Sequence, residues 1–239
     1  MHLLSLLLWL QCLSDPLTYK RQDEPLWLDL FNGHNFDGWV LESRDRADLL
    51  PNWTITPDGY MRCEAKRDAF GFLRYEKRTF ANFRLLVEYR FEPQEVSKFK
   101  GNSGIGIRTC RFDPKNHTAT RPSFAAYEIQ LLDDAKQPAT AYSTASLYRY
   151  ASPKTNRVKP SPQWNQIEVT CDGPRIQIQM NGELVLDVDQ THLPDLSPKD
   201  KPRIADIKAP PEKPLSGYIS LQSHTGTIEF RKVRLQEKP

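Results

Sequence analysis

Apolar and polar residues alternate in short runs along most of this chain. The clearest run is 83–91, where every second residue is apolar, and an alternation of that length and period predicts a β-strand. Two further runs, 175–180 and 183–188, are joined by Asn181-Gly182, the strongest short sequence signal for a hairpin. No apolar pattern persists at the helical period of 3.6 residues for as many as ten residues. The pattern therefore predicts a chain built mainly of strands.

Many short strands with turn residues between them are typical of antiparallel β-sandwiches. The predicted fold class is all-β, a two-sheet antiparallel sandwich or jelly roll, in a single domain spanning residues 23–239. We expect the first and last strands to pair. A change of apolar phase in the last strand predicts a β-bulge near Arg231 and Lys232. The proline-bearing segment 190–214 has no period, which predicts a long surface loop.

Two central segments, 101–108 and 127–134, combine an apolar face with a polar one. Side chains of a strand point alternately to its two faces. The face expected in the core carries Ile105, Ile107, Tyr127, Ile129 and Leu131. The other face would carry Asn102, Gly104, Gly106, Arg108, Glu128 and Gln130. Its two glycines could leave room for a ligand lying flat on the sheet, although the pattern fits an ordinary solvated sheet face equally well.

The N-terminal segment differs from the rest of the chain. Residues 2–13 form an apolar run that is too short to span a bilayer, and a polar segment follows it. This arrangement is typical of an export signal, although the run lacks a preceding Lys or Arg and no Ala-x-Ala site follows. We predict a signal peptide and short linker over residues 1–22, hence an exported protein without a membrane span. A misplaced start codon, a short anchor, or a lipoprotein modified at Cys12 are the alternatives.

Composition excludes some classes of function. The chain has 239 residues with 33 basic and 30 acidic side chains, a formal charge of +3, and no basic block, so no nucleic-acid partner is expected. Beyond the predicted signal, Cys63, Cys110 and Cys171 remain, and no two of them have the spacing of metal ligands. Each lies in a strand-like run, which favours buried free thiols, with a single disulfide as the alternative.

A succession of short motifs resembles a known family. The motifs are Leu30-Phe31-Asn32-Gly33, Gly38-Trp39, Gly101-Asn102-Ser103-Gly104-Ile105, Tyr127-Glu128-Ile129-Gln130, Trp164-Asn165, Asn181-Gly182 and Leu221-Gln222-Ser223-His224-Thr225-Gly226. Their order is similar to that of the DUF1080 family, also called the 3-keto-disaccharide hydrolase domain, over nearly all of the predicted domain. The resemblance implies a concanavalin A-like, laminin-G-like jelly roll, usually from an exported bacterial protein. The chain departs from the family where Thr225 separates His224 from Gly226.

The resemblance also implies chemistry on sugars already oxidised at C3. A ketone at C3 acidifies the C2 hydrogen, so a base can remove it and the glycosidic oxygen at C1 can leave by elimination. Addition of water then makes the net reaction a hydrolysis. This route needs a base near C2, donors or an ion for the enolate oxygen, and a proton for the leaving group. It does not need two carboxylates at the spacing of ordinary glycosidases.

Three ionisable side chains are the candidate catalytic residues. Glu128 is the candidate general base, because partial burial at the centre of the sheet would raise its pKa; a structural ion pair with Arg108 is the alternative. Arg108 could hold the enolate oxygen or sugar hydroxyl groups. His224 could be an acid, a base or a metal ligand, or an ordinary hydrogen-bonding residue. Asp133 is a candidate to join His224 around a divalent cation, but no tight ligand cluster is visible in the sequence.

Amide and aromatic side chains are the candidates for binding a carbohydrate substrate. Asn102 could assist with the oxyanion or the hydroxyl groups, and Gln130 is suited to hydroxyl recognition through its amide. Gln222 is expected on the same face as His224. Tyr148 and Trp39 could both stack on a pyranose ring, although packing in the core is the favoured role for Trp39.

Two functions from different classes remain open on the sequence. One is an exported enzyme that cleaves 3-keto-glycosides by elimination and hydration. The other is a non-catalytic, lectin-like carbohydrate-binding module, since a fold does not determine a function. The ionisable set Glu128, Arg108 and His224 favours the enzyme, because a lectin could bind sugars with aromatic and amide groups alone.

Overall fold

The computed structural model describes residues 26–43, 52–65, 70–93, 101–201 and 207–238. The predicted signal segment, 1–22, lies outside these ranges. The strands are β1 (Leu28–Asp29), β2 (Trp39–Ser43), β3 (Trp53–Ile55), β4 (Met61–Ala65), β5 (Gly71–Phe80), β6 (Phe83–Phe91), β7 (Asn102–Thr109), β8 (Tyr127–Leu132), β9 (Asn165–Asp172), β10 (Arg175–Met180), β11 (Glu183–Asp189), β12 (Gly217–Ser223) and β13 (Gly226–Glu237). The described ranges also hold one short helix, α1 (Pro122–Ala125), and 3-10 turns at Pro114–Asn116, Gln190–His192 and Pro210–Glu212.

The strands form two antiparallel sheets. The eight-stranded sheet has the order β11-β10-β9-β6-β13-β4-β3, with β1 paired to β13, and the five-stranded sheet has the order β2-β5-β12-β7-β8. The predicted all-β, two-sheet antiparallel sandwich is therefore confirmed. The expected pairing of the first and last strands is also confirmed, with Leu28 opposite Leu235. So is the bulge in β13, where the register with β6 shifts between Phe230 and Lys232.

The core lies between the two sheets. Its largest buried side chains from the eight-stranded sheet include Tyr89 and Phe230, and the five-stranded sheet contributes Ile105, Ile129 and Leu221. These are the residues that the alternation pattern places on the apolar faces of their strands. Burial of this apolar surface is the main stabilising contribution to the sandwich.

The three cysteines are free thiols. Cys63 and Cys171 are buried, as predicted, and desolvation raises the pKa of each thiol to about 12. Cys110 is exposed, so the prediction of a buried thiol is wrong at this position. It follows the last residue of β7 and lies in the loop that leaves the sheet.

Two segments without strands cover the outer face of the five-stranded sheet. The first, 110–126, carries α1, which packs on β7 and β8. The second, 133–151, returns along the edge strand β8: the backbone N–H of Gln130 donates to the carbonyl of Ser146, and the N–H of Tyr148 donates to that of Glu128. The polar face of this sheet is consequently buried at its centre instead of solvated.

The described parts of the segment 190–214, residues 190–201 and 207–214, contain no strand, as expected of a surface loop. No helix in the described ranges has the length and apolar character needed to cross a bilayer.

Candidate active site

A small polar pocket opens on the outer face of the five-stranded sheet. Strand alternation in β7, β8 and β12 directs their polar side chains to this face, and the remaining walls come from the two covering segments, from the residue before β5 and from the residue after β12. The lining residues are Phe70, Asn102, Arg121, Ser123, Glu128, Gln130, Tyr148, Arg149, Gln222 and His224. Six of the eight residues selected from the sequence therefore meet here, all but Arg108 and Asp133.

Glu128 is the only carboxylate among the lining residues. Its side chain is 3% exposed, and its Oε1 accepts a hydrogen bond of 2.8 Å from the amide of Gln222. Desolvation raises the pKa of Glu128 to about 7, against the opposing charges of Arg121 and Arg149 and the hydrogen bond from Gln222. At neutral pH this group can therefore either accept or release a proton at little cost.

The glycines of β7 make room for side chains of this protein. A Cβ atom on Gly104 would lie 2.7 Å from Oε1 of Glu128, and one on Gly106 would overlap the hydroxyl of Ser220 and lie 3.0 Å from Cβ of Pro122. The space above both glycines is thus already occupied. The expectation that a ligand lies flat over them is wrong, because the glycines admit the carboxylate and the covering segment instead.

Arg108 does not belong to this site. Between the pairs Gly106–Ser220 and Thr109–Tyr218, β7 has one residue more than β12, and Arg108 adopts a φ of 54° at this bulge. The bulge interrupts the alternation, so the side chain is fully buried with its Nε and Nη2 donating to the carbonyl of Ala81. Desolvation lowers its pKa. Its predicted position on the polar face is wrong, and the structure shows no ion pair between it and Glu128.

Two arginines from the covering segments supply the positive charge that the sequence assigned to Arg108. Arg121 precedes α1 and stacks its guanidinium 4.4 Å from the centre of the Phe70 ring. Arg149 stacks 4.7 Å from the ring centre of Tyr148. Sequence analysis missed both, as well as Ser123 and Phe70. Arg121, Ser123 and Arg149 lie in segments without a strand period, and no local signal distinguishes them from other surface polar residues.

His224 lines the pocket beside Phe70, with the two rings edge to face at 5.5 Å. Desolvation, and secondarily the charge of Arg121, lowers the pKa of this imidazole, so it is neutral at pH 7. Its Nδ1 is buried and has no hydrogen-bond partner among the described residues. The backbone of Thr225 exchanges two hydrogen bonds with the backbone of Asn102, and these bonds tie the residue after His224 to β7.

The amide side chains form a donor and acceptor row beside Glu128. Gln130 Nε2 donates to Asn102 Oδ1 over 2.7 Å, which leaves the Asn102 amide nitrogen and the Gln130 carbonyl oxygen for other partners. Tyr148 closes the pocket on the side of β8, and burial raises the pKa of its hydroxyl group. Trp39 lies in the core, as predicted, where its Nε1 donates to the carbonyl of Leu30.

The pocket offers few ligands for a divalent cation. Asp133 does not line it, and the described ranges contain no group of three or more His, Cys, Asp or Glu side chains that could hold a metal ion. The ionisable oxygen and nitrogen donors in the lining are Glu128, His224 and the hydroxyl group of Tyr148, and two guanidinium groups lie beside them. Because a cation here would be repelled by Arg121 and Arg149, this donor set fits a tightly held metal poorly.

Comparisons with solved structures give the same fold. A protein from Parabacteroides distasonis ATCC 8503, provisionally described as a glycosyl hydrolase, has 22% sequence identity and a TM-score of 0.64 over 89% of this chain and 94% of its own. A second structure of that description from the same organism has 21% identity and a TM-score of 0.65, over 89% of this chain and 100% of its own.

A mannose-bound structure shares the architecture at lower identity. The exoplasmic/lumenal domain of VIP36, in a Ca²⁺- and mannose-bound form, has 11% identity and a TM-score of 0.53 over 84% of this chain and 83% of its own. Among curated proteins, no sequence matches the chain. The model of the 3-keto-alpha-glucoside-1,2-lyase-like domain matches residues 26–236. This match covers every residue of the pocket and all described strands but for the last residue of β13, and the chain accordingly belongs to the family of 3-keto-alpha-glucoside-1,2-lyase-like domains.

Proposed function

We propose that this protein cleaves 3-keto-glycosides by abstraction of the C2 proton, elimination of the glycosidic oxygen, and addition of water. Membership of the family supports a carbohydrate-related function. The observation that carries the finer proposal is the state of Glu128: a buried carboxylate with a pKa raised to about 7, beside two guanidinium groups. A base that must remove a carbon-bound proton and later return it works best with a pKa near the working pH.

Glu128 serves as the base in the first step. It takes the proton from C2, and the electron pair of the broken C–H bond moves into the C2–C3 bond as the C3 carbonyl becomes an enolate. Arg121 and Arg149 stabilise the negative charge that develops on this oxygen, as preorganised donors in a site of low dielectric do. This assignment replaces Arg108, which the bulge removes from the pocket.

The protonated Glu128 then supplies the proton of the leaving group. As the enolate re-forms the ketone, the C1–O bond breaks and the glycosidic oxygen takes the proton, which leaves a C1=C2 double bond conjugated to the ketone. Water adds to C1 and gives its proton back to Glu128, and protonation of C2 from Glu128 completes the cycle. The neutral imidazole of His224 is suited to accept a hydrogen bond from the attacking water.

The remaining polar groups bind the sugar. The amide groups of Asn102, Gln130 and Gln222 provide donors and acceptors for hydroxyl groups on one side of the pocket. Tyr148 provides an aromatic face for the pyranose ring. A sugar bound between this row and the two arginines would present its C2–C3 edge to Glu128.

The test is an assay with a 3-keto-glucoside that bears a chromogenic leaving group, with and without a chelator. The matched substrate is the same glucoside with a hydroxyl group at C3, which lacks the acidic C2 hydrogen. We expect release of the chromophore from the 3-keto compound only. Absence of release together with retained binding of the sugar would instead establish the lectin-like function.

We further propose that the reaction takes place outside the cytoplasm, on the basis of the apolar run at residues 2–13. Expression of the full chain followed by cell fractionation and N-terminal sequencing of the mature protein tests this. Recovery of an uncleaved chain in the cytoplasm would contradict it.

A further inference from the structure

Two aromatic rings and one ion pair hold the side chain of Arg149 at the pocket. Its guanidinium stacks on Phe124 at 4.6 Å and on Tyr148 at 4.7 Å, and its Nε lies 3.8 Å from Oδ1 of Asp200. Its Nη1 is buried without a hydrogen-bond partner among the described residues. Two carboxylates thus act on this arginine: Glu128 of the pocket, and Asp200, which lies in the segment 190–201 that follows β11.

Asp200 is itself firmly fixed. The hydroxyl group of Tyr142 donates to its Oδ2 over 2.8 Å, and the hydroxyl group of Ser197 donates to the same oxygen. The pKa of the Asp200 carboxyl is lowered overall. Burial by itself would raise this pKa, but the two hydrogen bonds and the charges of Lys199 and Arg149 have the larger combined effect. Asp200 is therefore an anion throughout the neutral range.

The same carboxylate reaches the pocket by a second route. Asp200 accepts a hydrogen bond from the hydroxyl group of Tyr142. The ring of Tyr142 packs edge to face on that of Tyr148, with the ring centres 5.8 Å apart. Tyr148 and Arg149 are consecutive residues that both line the pocket. Arg149 has a φ of 74°, a conformation unfavourable for a residue other than glycine, so the local backbone alone does not favour this geometry.

We propose that Asp200 is a positioning residue of this site, which holds Arg149 by an ion pair and Tyr148 through Tyr142. The inference rests on the proposed function in so far as it gives Arg149 and Tyr148 their roles. The pair is partly shielded from solvent, with side-chain exposures of 16% for Arg149 and 11% for Asp200. Without the carboxylate, a long cationic side chain with a free Nη1 gains freedom to turn towards water.

The experiment measures the pKa of Glu128 by carbon-13 NMR in wild type and in Asp200→Asn. The charged or titratable groups around Glu128 are Arg121, Arg149, His224 and Tyr148, and the charge of Arg149 lowers its pKa. We expect the pKa of Glu128 to rise by about half a unit or more when Arg149 is released. If Arg149 stays in place, loss of the negative charge of Asp200 would instead lower the pKa of Glu128. The direction of the pKa change therefore shows whether Arg149 has been released.

Asp187→Asn is the matched control. This variant removes the carboxylate of another Asp–Arg ion pair, which lies in the eight-stranded sheet. Oδ2 of Asp187 on β11 is 2.6 Å from Nη2 of Arg175 on β10. We expect no change in the Glu128 titration in this variant. An unchanged or lowered pKa of Glu128 in Asp200→Asn would overturn the proposal.

A second variant covers the case in which Asp200→Asn fails to fold. Tyr142→Phe removes one hydrogen bond to Asp200 and no charge, and we expect a smaller rise of the Glu128 pKa in the same direction. No rise would count against the positioning role. With the 3-keto substrate, Asp200→Asn should lower kcat by about tenfold or more with a smaller change in KM. If wild type releases no product, the proposed function fails while the titration still decides the role of Asp200.

Discussion

The carboxylate of Glu128 packs directly over the α-carbon of Gly104. A Cβ atom at position 104 would lie 2.7 Å from Oε1 of Glu128 and 3.0 Å from its Cγ. Glu128 lies on β8 and Gly104 on the neighbouring strand β7, and both positions are on the outer face of the sheet. A side chain at position 104 would push the carboxylate out of its place beside Gln222. The absence of a side chain on β7 is thus what allows a carboxylate to be buried on β8.

Replacing Gly104 with alanine is expected to reduce turnover by about tenfold to a hundredfold, because displacement of a reacting group by a fraction of an ångström misaligns proton transfer. Gly106→Ala is the comparison variant. The three atoms nearest to its Cβ would belong to Ser220, Thr109 and Pro122, whereas those nearest to a Cβ at position 104 all belong to Glu128, so Gly106→Ala should lower the melting temperature with a smaller effect on turnover. Steady-state kinetics and thermal unfolding of both variants check this, and full turnover in Gly104→Ala would contradict it.

Glu128→Gln is expected to lower kcat by at least about a hundredfold, since the amide cannot accept the C2 proton. Glu42→Gln is a matched control: Glu42 is also a partly buried carboxyl on the same sheet with a pKa raised by burial, but it pairs with Arg74 outside the pocket. It should retain turnover per folded molecule. Unchanged turnover in Glu128→Gln would remove Glu128 from the role of base.

The pH profile should follow the ionisation of Glu128. The base must be deprotonated to act, and its pKa is raised to about 7 by burial, so kcat/KM is expected to rise with pH and to level off above about pH 8. Burial lowers the pKa of His224, so this imidazole is neutral at pH 7 and above, where the activity of Glu128 is expected to rise. A profile that is flat between pH 5 and 8, measured in overlapping buffers, would assign the base to another group.

Glu128 should also make stability depend on pH. The folded pKa of this acid is raised from 4.5 to about 7, so the native state binds more protons than the unfolded state, and the free energy of unfolding falls as pH rises through that interval. The carboxylate then costs on the order of 3 kcal/mol at pH 8. Glu128→Gln should therefore unfold at a higher temperature than wild type at pH 8 and show little gain at pH 4. An equal gain at both pH values would argue against a raised pKa.

Substitution by methionine should affect Arg149, which lines the pocket, and Arg108, which lies in the interior, differently. Arg149→Met is expected to lower kcat by about a hundredfold, because a donor to the enolate is lost. Arg108→Met should change the melting temperature and leave kcat of the folded fraction unchanged, because its guanidinium contacts the carbonyl of Ala81 in the interior. The measurement is kcat per folded molecule, with the folded fraction determined by circular dichroism. A loss of kcat in Arg108→Met would contradict this prediction.

Strand-level features were predictable because they depend on local alternation. Every second residue of 83–91 is apolar, and β6 has those bounds and buries that face. The phase change near Arg231 predicted the bulge in β13. The same alternation correctly placed Glu128 and Gln130 together on one face of β8.

Arg108 shows where local alternation fails. A bulge adds one residue to β7 relative to β12, and the sequence of β7 contains no polar-to-apolar phase change that would reveal it. The residue at the bulge has a positive φ, and its side chain turns into the interior. Only the register with a strand more than a hundred residues away determines this.

By itself, the sequence determined the strand content of an all-β fold and a polar sheet face that carries Glu128, because both follow from a repeat of two residues along single strands. The tertiary structure decided which cations stand beside that carboxylate and how basic it is. Arg121 and Arg149 reach it from segments without a period, and the pKa of Glu128 rises because those segments exclude water from it. Proximity and desolvation arise from contacts between distant parts of the chain, which no local pattern encodes.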